Sequence, residues 1–169
     1  MANTEQLPAT SVNREPCIVE IVPPGGLTAT FYATVHAGEP DIPPTTIVDE
    51  SQDIVVKARW CIQGDLRHHL CGTWCLKVAW ESCGDGSEGH QVTHVPFDPC
   101  LPDNRCYEAI VRIPAGRLGA GECGTVYCFC VTLTSEYDCP RDGGAQRFAG
   151  PTFGFCRNVA CIMVRAVAA

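Results

Sequence analysis

The side chains best able to do chemistry in this 169-residue sequence are thirteen cysteines: Cys17, Cys61, Cys71, Cys75, Cys83, Cys100, Cys106, Cys123, Cys128, Cys130, Cys139, Cys156 and Cys161. A thiol can pair, ligate a metal or attack an electrophile, and spacing decides which. No C-x-x-C occurs, which removes the commonest half-site of structural zinc together with the dithiol redox motif. Cys71 and Cys75 lie in CGTWCLKVAW; on a strand their separation is roughly 13 Å, too far for one bond or one ion. Cys128 and Cys130 share a strand face about 7 Å apart and cannot bond each other, but each can face a cysteine on an adjoining strand.

Other groups carry less. His68, His69 and Cys71 sit near one turn without a recognisable ligand spacing, and no thiol is set in an evident electropositive site with an orienting partner. His90 and His94 in GHQVTH would share a helix face, but Gly89 and the following Val-Pro disfavour a helix, and on a strand they stand roughly 13 Å apart. DGSEG at 85–89 lacks the spaced carboxylates of a calcium loop and the leading glycine of a nucleophile elbow. The expectation is therefore no catalytic residue, no metal site, no cofactor and no enzyme activity.

The elements that position the cysteines follow from a two-residue hydrophobic period. GLTATFYATVHA sets Leu27, Ala29, Phe31, Ala33 and Val35 against Thr28, Thr30, Tyr32, Thr34 and His36. DIVVKARWCIQG sets Ile54, Val56, Ala58, Trp60 and Ile62 against Val55, Lys57, Arg59 and Cys61. In residues 71–80, Trp74, Leu76, Val78 and Trp80 oppose Cys71, Thr73, Cys75 and Lys77. RCYEAIVRIPAG turns Tyr107, Ala109, Val111 and Ile113 inward; GTVYCFCVTLTS does the same with Tyr127, Phe129, Val131 and Leu133. NVACIMVRAVA turns Ala160, Ile162, Val164 and Ala166 inward, and CIVEIV at 17–22 adds a further strand. Trp60, Trp74 and Trp80 are the expected core anchors.

Segments rich in proline and glycine separate these strands. Residues 37–52 and 83–104 read as long loops, the first crossing between sheets. Strands 53–62 and 71–82 read as a hairpin in which Cys61 and Cys71 face each other. Cys100 and Cys106 bracket a short loop that a disulfide could close, while Cys83, Cys123, Cys139 and Cys156 fall in or near turns. Seven or eight strands with little or no helix predict an all-β antiparallel β-sandwich over residues 17–169, preceded by a flexible arm at 1–16. The pattern resembles immunoglobulin-like sandwiches in architecture alone, because the best-patterned cysteines fall opposite the apolar face rather than beside the core tryptophan.

Composition bounds the partners. A net charge of −7 disfavours nucleic acid, and no apolar run approaches the roughly 20 residues that insert into a membrane. The opening MANTEQLPATSV lacks signal-peptide features, and no N-x-S/T sequon occurs. Cysteine content nonetheless favours an oxidising or extracellular setting, so the compartment stays open. Outward cysteines, low charge and a strand behind a mobile arm together predict a non-enzymatic, self-assembling subunit of a filament, sheet or shell. In that reading copies of the chain are the partners, joined by cysteine cross-links and N-terminal strand exchange. The alternatives are a monomeric, internally cross-linked binding module that offers its long loops, and a metal-binding or thiol-redox protein.

Overall fold

The computed structural model describes residues 17–21, 26–64, 72–97, 105–139 and 146–166. Nine strands are present among them: β1 (Ile18–Ile21), β2 (Thr28–Ala37), β3 (Ile47–Asp49), β4 (Ile54–Gln63), β5 (Thr73–Ser82), β6 (Gly89–Pro96), β7 (Arg105–Ile113), β8 (Thr125–Cys139) and β9 (Gln146–Arg165). They build the expected antiparallel β-sandwich. One sheet has the order β1-β9-β8-β5-β6, with β3 added parallel to β9; the other has the order β2-β4-β7. The connectivity is immunoglobulin-like: β2, β4 and β7 take the places of strands A, B and E, and β5, β6, β8 and β9 those of C, C′, F and G. Near the start of β8, the Tyr127 hydroxyl donates a 2.9 Å hydrogen bond to the Gly119 carbonyl, the tyrosine corner of such sandwiches.

Alternation explains the core. Alternate residues of β4, β5, β7 and β8 point between the sheets along their described stretches, and Trp60, Trp74, Leu76, Val78, Val111, Ile113, Tyr127, Phe129 and Val131 are each at most 2% exposed. Trp60 and Trp74 meet across the core edge to face, with ring centroids 5.9 Å apart, and Tyr107 stacks on Trp60 at 5.6 Å. Phe97, just beyond β6, closes on Trp74 at 4.5 Å. Trp80 is also buried, and it explains why β6 begins with glycine, since a Cβ at Gly89 would lie 2.6 Å from the Trp80 ring.

Three features depart from the sequence reading. β4 and β5 do not form a hairpin: they lie in opposite sheets, so Trp60 and Trp74 face each other instead of lying side by side. The segments read as loops contain strands. β6 lies within 83–104 and pairs with β5 from Thr73↔Pro96 to Trp80↔Gly89, while β3 lies within 37–52. Their turn-forming neighbours masked them, and β6 hides further because it buries little of either face. The last strand begins at Gln146, well before Val159; it absorbs Gly150 and Pro151 through a register shift against β8 at Thr134/Glu136, and a second shift follows at Phe129/Val131.

The wet face of the three-stranded sheet is drier than its alternation implies. His36 and Val55, both on the expected outer face, are 5% and 0% exposed. The β2–β3 connection folds over them: the Ile42 carbonyl hydrogen-bonds His36 Nδ1 at 2.6 Å, and the Thr45 amide donates to the Val35 carbonyl at 3.1 Å. β3 then docks on β9 through the Met163 amide to the Thr46 carbonyl, the Glu50 amide to the Arg165 carbonyl, and an Arg165–Asp49 ion pair.

Truncating the central ring tests the packing. Trp74→Ala should lower stability by about 3–5 kcal/mol in urea unfolding, because a fully buried indole leaves a cavity facing Trp60 and Tyr107. The Asp49 pair gives a pH dependence. The hydrogen bond and charge of Arg165 hold the Asp49 carboxyl below its ordinary value of 3.8. A lowered carboxylate pKa contributes stability that is complete above the ordinary value and is lost as pH falls through the folded one. Amide exchange at Met163 and Glu50 should therefore accelerate in acid below that range, and Asp49→Asn should remove the acid step.

Candidate functional site

The sheets sort the cysteines by face and neighbour. Three pairs lie at disulfide-bonding distance: Cys61–Cys106, Cys128–Cys161 and Cys17–Cys156, with Cα separations of 4.0, 4.2 and 4.5 Å. Cys61 and Cys106 are directly opposed on β4 and β7, as are Cys128 and Cys161 on β8 and β9. Direct opposition brings outward Cβ atoms within reach of a bond without displacing the backbone. Cys17 precedes β1 and reaches Cys156, which is buried in the middle of β9 rather than in a turn. Each pair joins neighbouring strands of one sheet. The chain is thus a disulfide-stabilised β domain.

These pairs correct the sequence expectations. Cys61 bonds Cys106, not Cys71, because its neighbour is β7 and not β5; Cys106 is thereby taken from the loop closure with Cys100. Cys71, Cys100 and the Cys139 side chain lie outside the described residues. Cys83 and Cys123 are exposed, the first just after β5 and the second just before β8, and Cys83 Sγ stands 3.6 Å from Cys128 Sγ. Cys75 and Cys130 are half-buried on the outer faces of β5 and β8.

Cys75 does not stand among aliphatic neighbours. Its register partner on β6 is His94 and its partner on β8 is Thr134, two residues from Glu136. The sulfur, an imidazole nitrogen and a carboxylate oxygen of Cys75, His94 and Glu136 all lie within 4.8 Å of one another, with His94 Nε2 3.6 Å from Glu136 Oε2. Three strands of one hydrogen-bonded sheet hold them, so their backbone positions are mutually fixed. The sequence reading weighed His94 against His90 and did not join it to Cys75. The missing signal was strand β6: without its register, residues 75, 94 and 136 have no reason to meet.

The far side of the sandwich presents a second feature. β6 ends the larger sheet and β7 ends the smaller one, and a cleft runs between them, lined by Gln91, Val92, Thr93, Ile110, Val111 and Arg112. Val92 and Ile110 are both 41% exposed. β6 carries neither lysine nor arginine, the usual guards of an unpaired edge. No protein-family model matches the chain, and no curated protein matches it.

Peptide mapping under non-reducing conditions should recover Cys61 linked to Cys106 and Cys128 linked to Cys161. Brief maleimide treatment of the folded chain should label Cys83 and Cys123 before Cys75. A Cys61–Cys71 link would exclude the Cys61–Cys106 pair that joins β4 to β7.

Proposed function

We propose that this chain is a non-enzymatic structural subunit that assembles with copies of itself through β6 and β7, the strands that end the two sheets side by side among the described residues. The observation that carries the reading is that β6 and β7 end the two sheets side by side among the described residues, with Val92 and Ile110 exposed at the cleft between them. An edge strand exposes unsatisfied backbone donors and acceptors that template another strand, and Val92 and Ile110 add apolar area at the same place. A second copy supplies both an edge to pair with and matching side chains, as a self-complementary contact requires.

The disposition of the cysteines changes the form of that assembly. Among the described residues six cysteines are engaged within the chain, and the exposed Cys83 and Cys123 are the described cysteines that could cross-link copies. The N-terminal strand lies on β9 of its own chain, register Ile18↔Phe155 to Ile21↔Thr152, beside the Cys17–Cys156 bond. Strand exchange would first require that bond to open. Edge pairing has no such requirement.

The rival reading as a monomeric module loses its proposed binding loops. Residues 37–52 are folded over His36 and Val55 and tied by Arg112 to Glu39 and to the Gly38 carbonyl. Residues 83–104 contribute strand β6. In both stretches strands formed by the described residues belong to the sandwich itself.

Light scattering coupled to size exclusion, on oxidised protein with Cys83 and Cys123 replaced by serine and remaining thiols blocked by alkylation, tests the edge contact free of covalent links. The expected result is a reversible oligomer that Val92→Lys or Ile110→Lys converts to monomer while the thermal midpoint stays the same. A monomer at all concentrations before either change would defeat the proposal.

A further inference from the structure

We propose that Cys75, His94 and Glu136 form a three-ligand site for a divalent transition metal of the zinc class, with a fourth coordination position open to solvent or an added ligand. The donor set is chemically selective. Thiolate, imidazole and carboxylate are the three ligand types that zinc takes, whereas calcium and magnesium require oxygen and would not recruit Cys75. Zinc–ligand bonds of about 2.0–2.3 Å place neighbouring donors of a tetrahedral ion roughly 3.5 Å apart. His94 Nε2 and Glu136 Oε2 stand at 3.6 Å, and the whole set falls within 4.8 Å, so small side-chain rotations bring the sulfur to the same spacing.

Charge and scaffold agree with this assignment. A thiolate and a carboxylate neutralise a dication, with neutral imidazole completing the set. That balance suits a partly buried face: Cys75 and Glu136 are half-buried, and His94 is exposed enough to admit the ion. The ligands come from β5, β6 and β8, which are hydrogen-bonded to one another in sequence β8-β5-β6, so the site is assembled by folding and not by a local motif. It lies on the outer face of the sheet, opposite the side where Trp74 packs. Three protein ligands with one open position is the pattern of zinc sites that hold water or an exogenous group.

The test uses the full oxidised chain, in which the three described disulfides take six of the thirteen thiols out of competition, stripped of metal by chelator and dialysed. Cobalt(II) should bind one equivalent and produce a thiolate-to-cobalt charge-transfer band in the near ultraviolet, which one equivalent of zinc then bleaches. Cys75→Ser should abolish the band. His94→Gln and Glu136→Gln should each weaken zinc binding by more than the roughly 10–100-fold that losing an outer hydrogen-bond partner costs. Cys83→Ser and Cys123→Ser should leave it unchanged, and near-ultraviolet circular dichroism checks that each variant is folded. If Cys75→Ser does not fold, the wild-type chain still decides: zinc should protect Cys75 from iodoacetamide, read by mass spectrometry. A chain that binds neither metal overturns the assignment. So does a cobalt–thiolate band that survives Cys75→Ser, or a Cys75 that alkylates equally fast with zinc present.

Discussion

Contact between Trp60 and Trp74 across the core is the constraint on which the rest of the structure depends. The described disulfides all run within a sheet, so what holds one sheet on the other is burial, centred on these indoles with Tyr107 and Phe97 around them. In antibody-type sandwiches a disulfide crosses between strands B and F beside a core tryptophan. Here the matching strands, β4 and β8, offer Trp60 and Phe129 to the interior instead. Aromatic area replaces the covalent link.

Because a strand alternates strictly, that choice determines everything on the opposite faces. Placing Trp74 and Trp80 inward sends Cys75 outward on β5; placing Tyr127 and Phe129 inward sends Cys128 and Cys130 outward on β8. Cysteine then acts where the sandwich has few charges with which to fasten its surface. Cys61–Cys106 and Cys128–Cys161 each clamp two strands whose pairing is otherwise held by backbone hydrogen bonds. Among the described residues, the result is two covalently reinforced sheets joined by a non-covalent core.

The surface is likewise unevenly protected. On one side, β1 and β3 both add to β9, and the connection ahead of β3 covers His36 and Val55. On the other side, among the described residues, β6 and β7 end their sheets around a cleft of mixed polarity at which Val92 and Ile110 are exposed. The same strand β6 that leaves this edge open also carries His94 to Cys75 on its outer face. A short, weakly buried strand thus bears on both features that distinguish the molecule from a plain sandwich.

What the sequence determined by itself was parity. The two-residue period of β2, β4, β5, β7 and β8 identified the inward residues, the three tryptophans among them, because alternation is a local property of extended backbone. The same period put most cysteines on the outer faces. It missed β3 and β6, whose few residues bury too little to leave a pattern, and it took the glycine and proline of early β9 for a turn. Only the tertiary structure decided which strand lies beside which. Cys61 meets Cys106 because β4 borders β7, and Cys75 meets His94 and Glu136 because β5 lies between β6 and β8. Neighbour relations between strands arise from long-range pairing, and residues 75, 94 and 136 carry no local mark of the distance they will close.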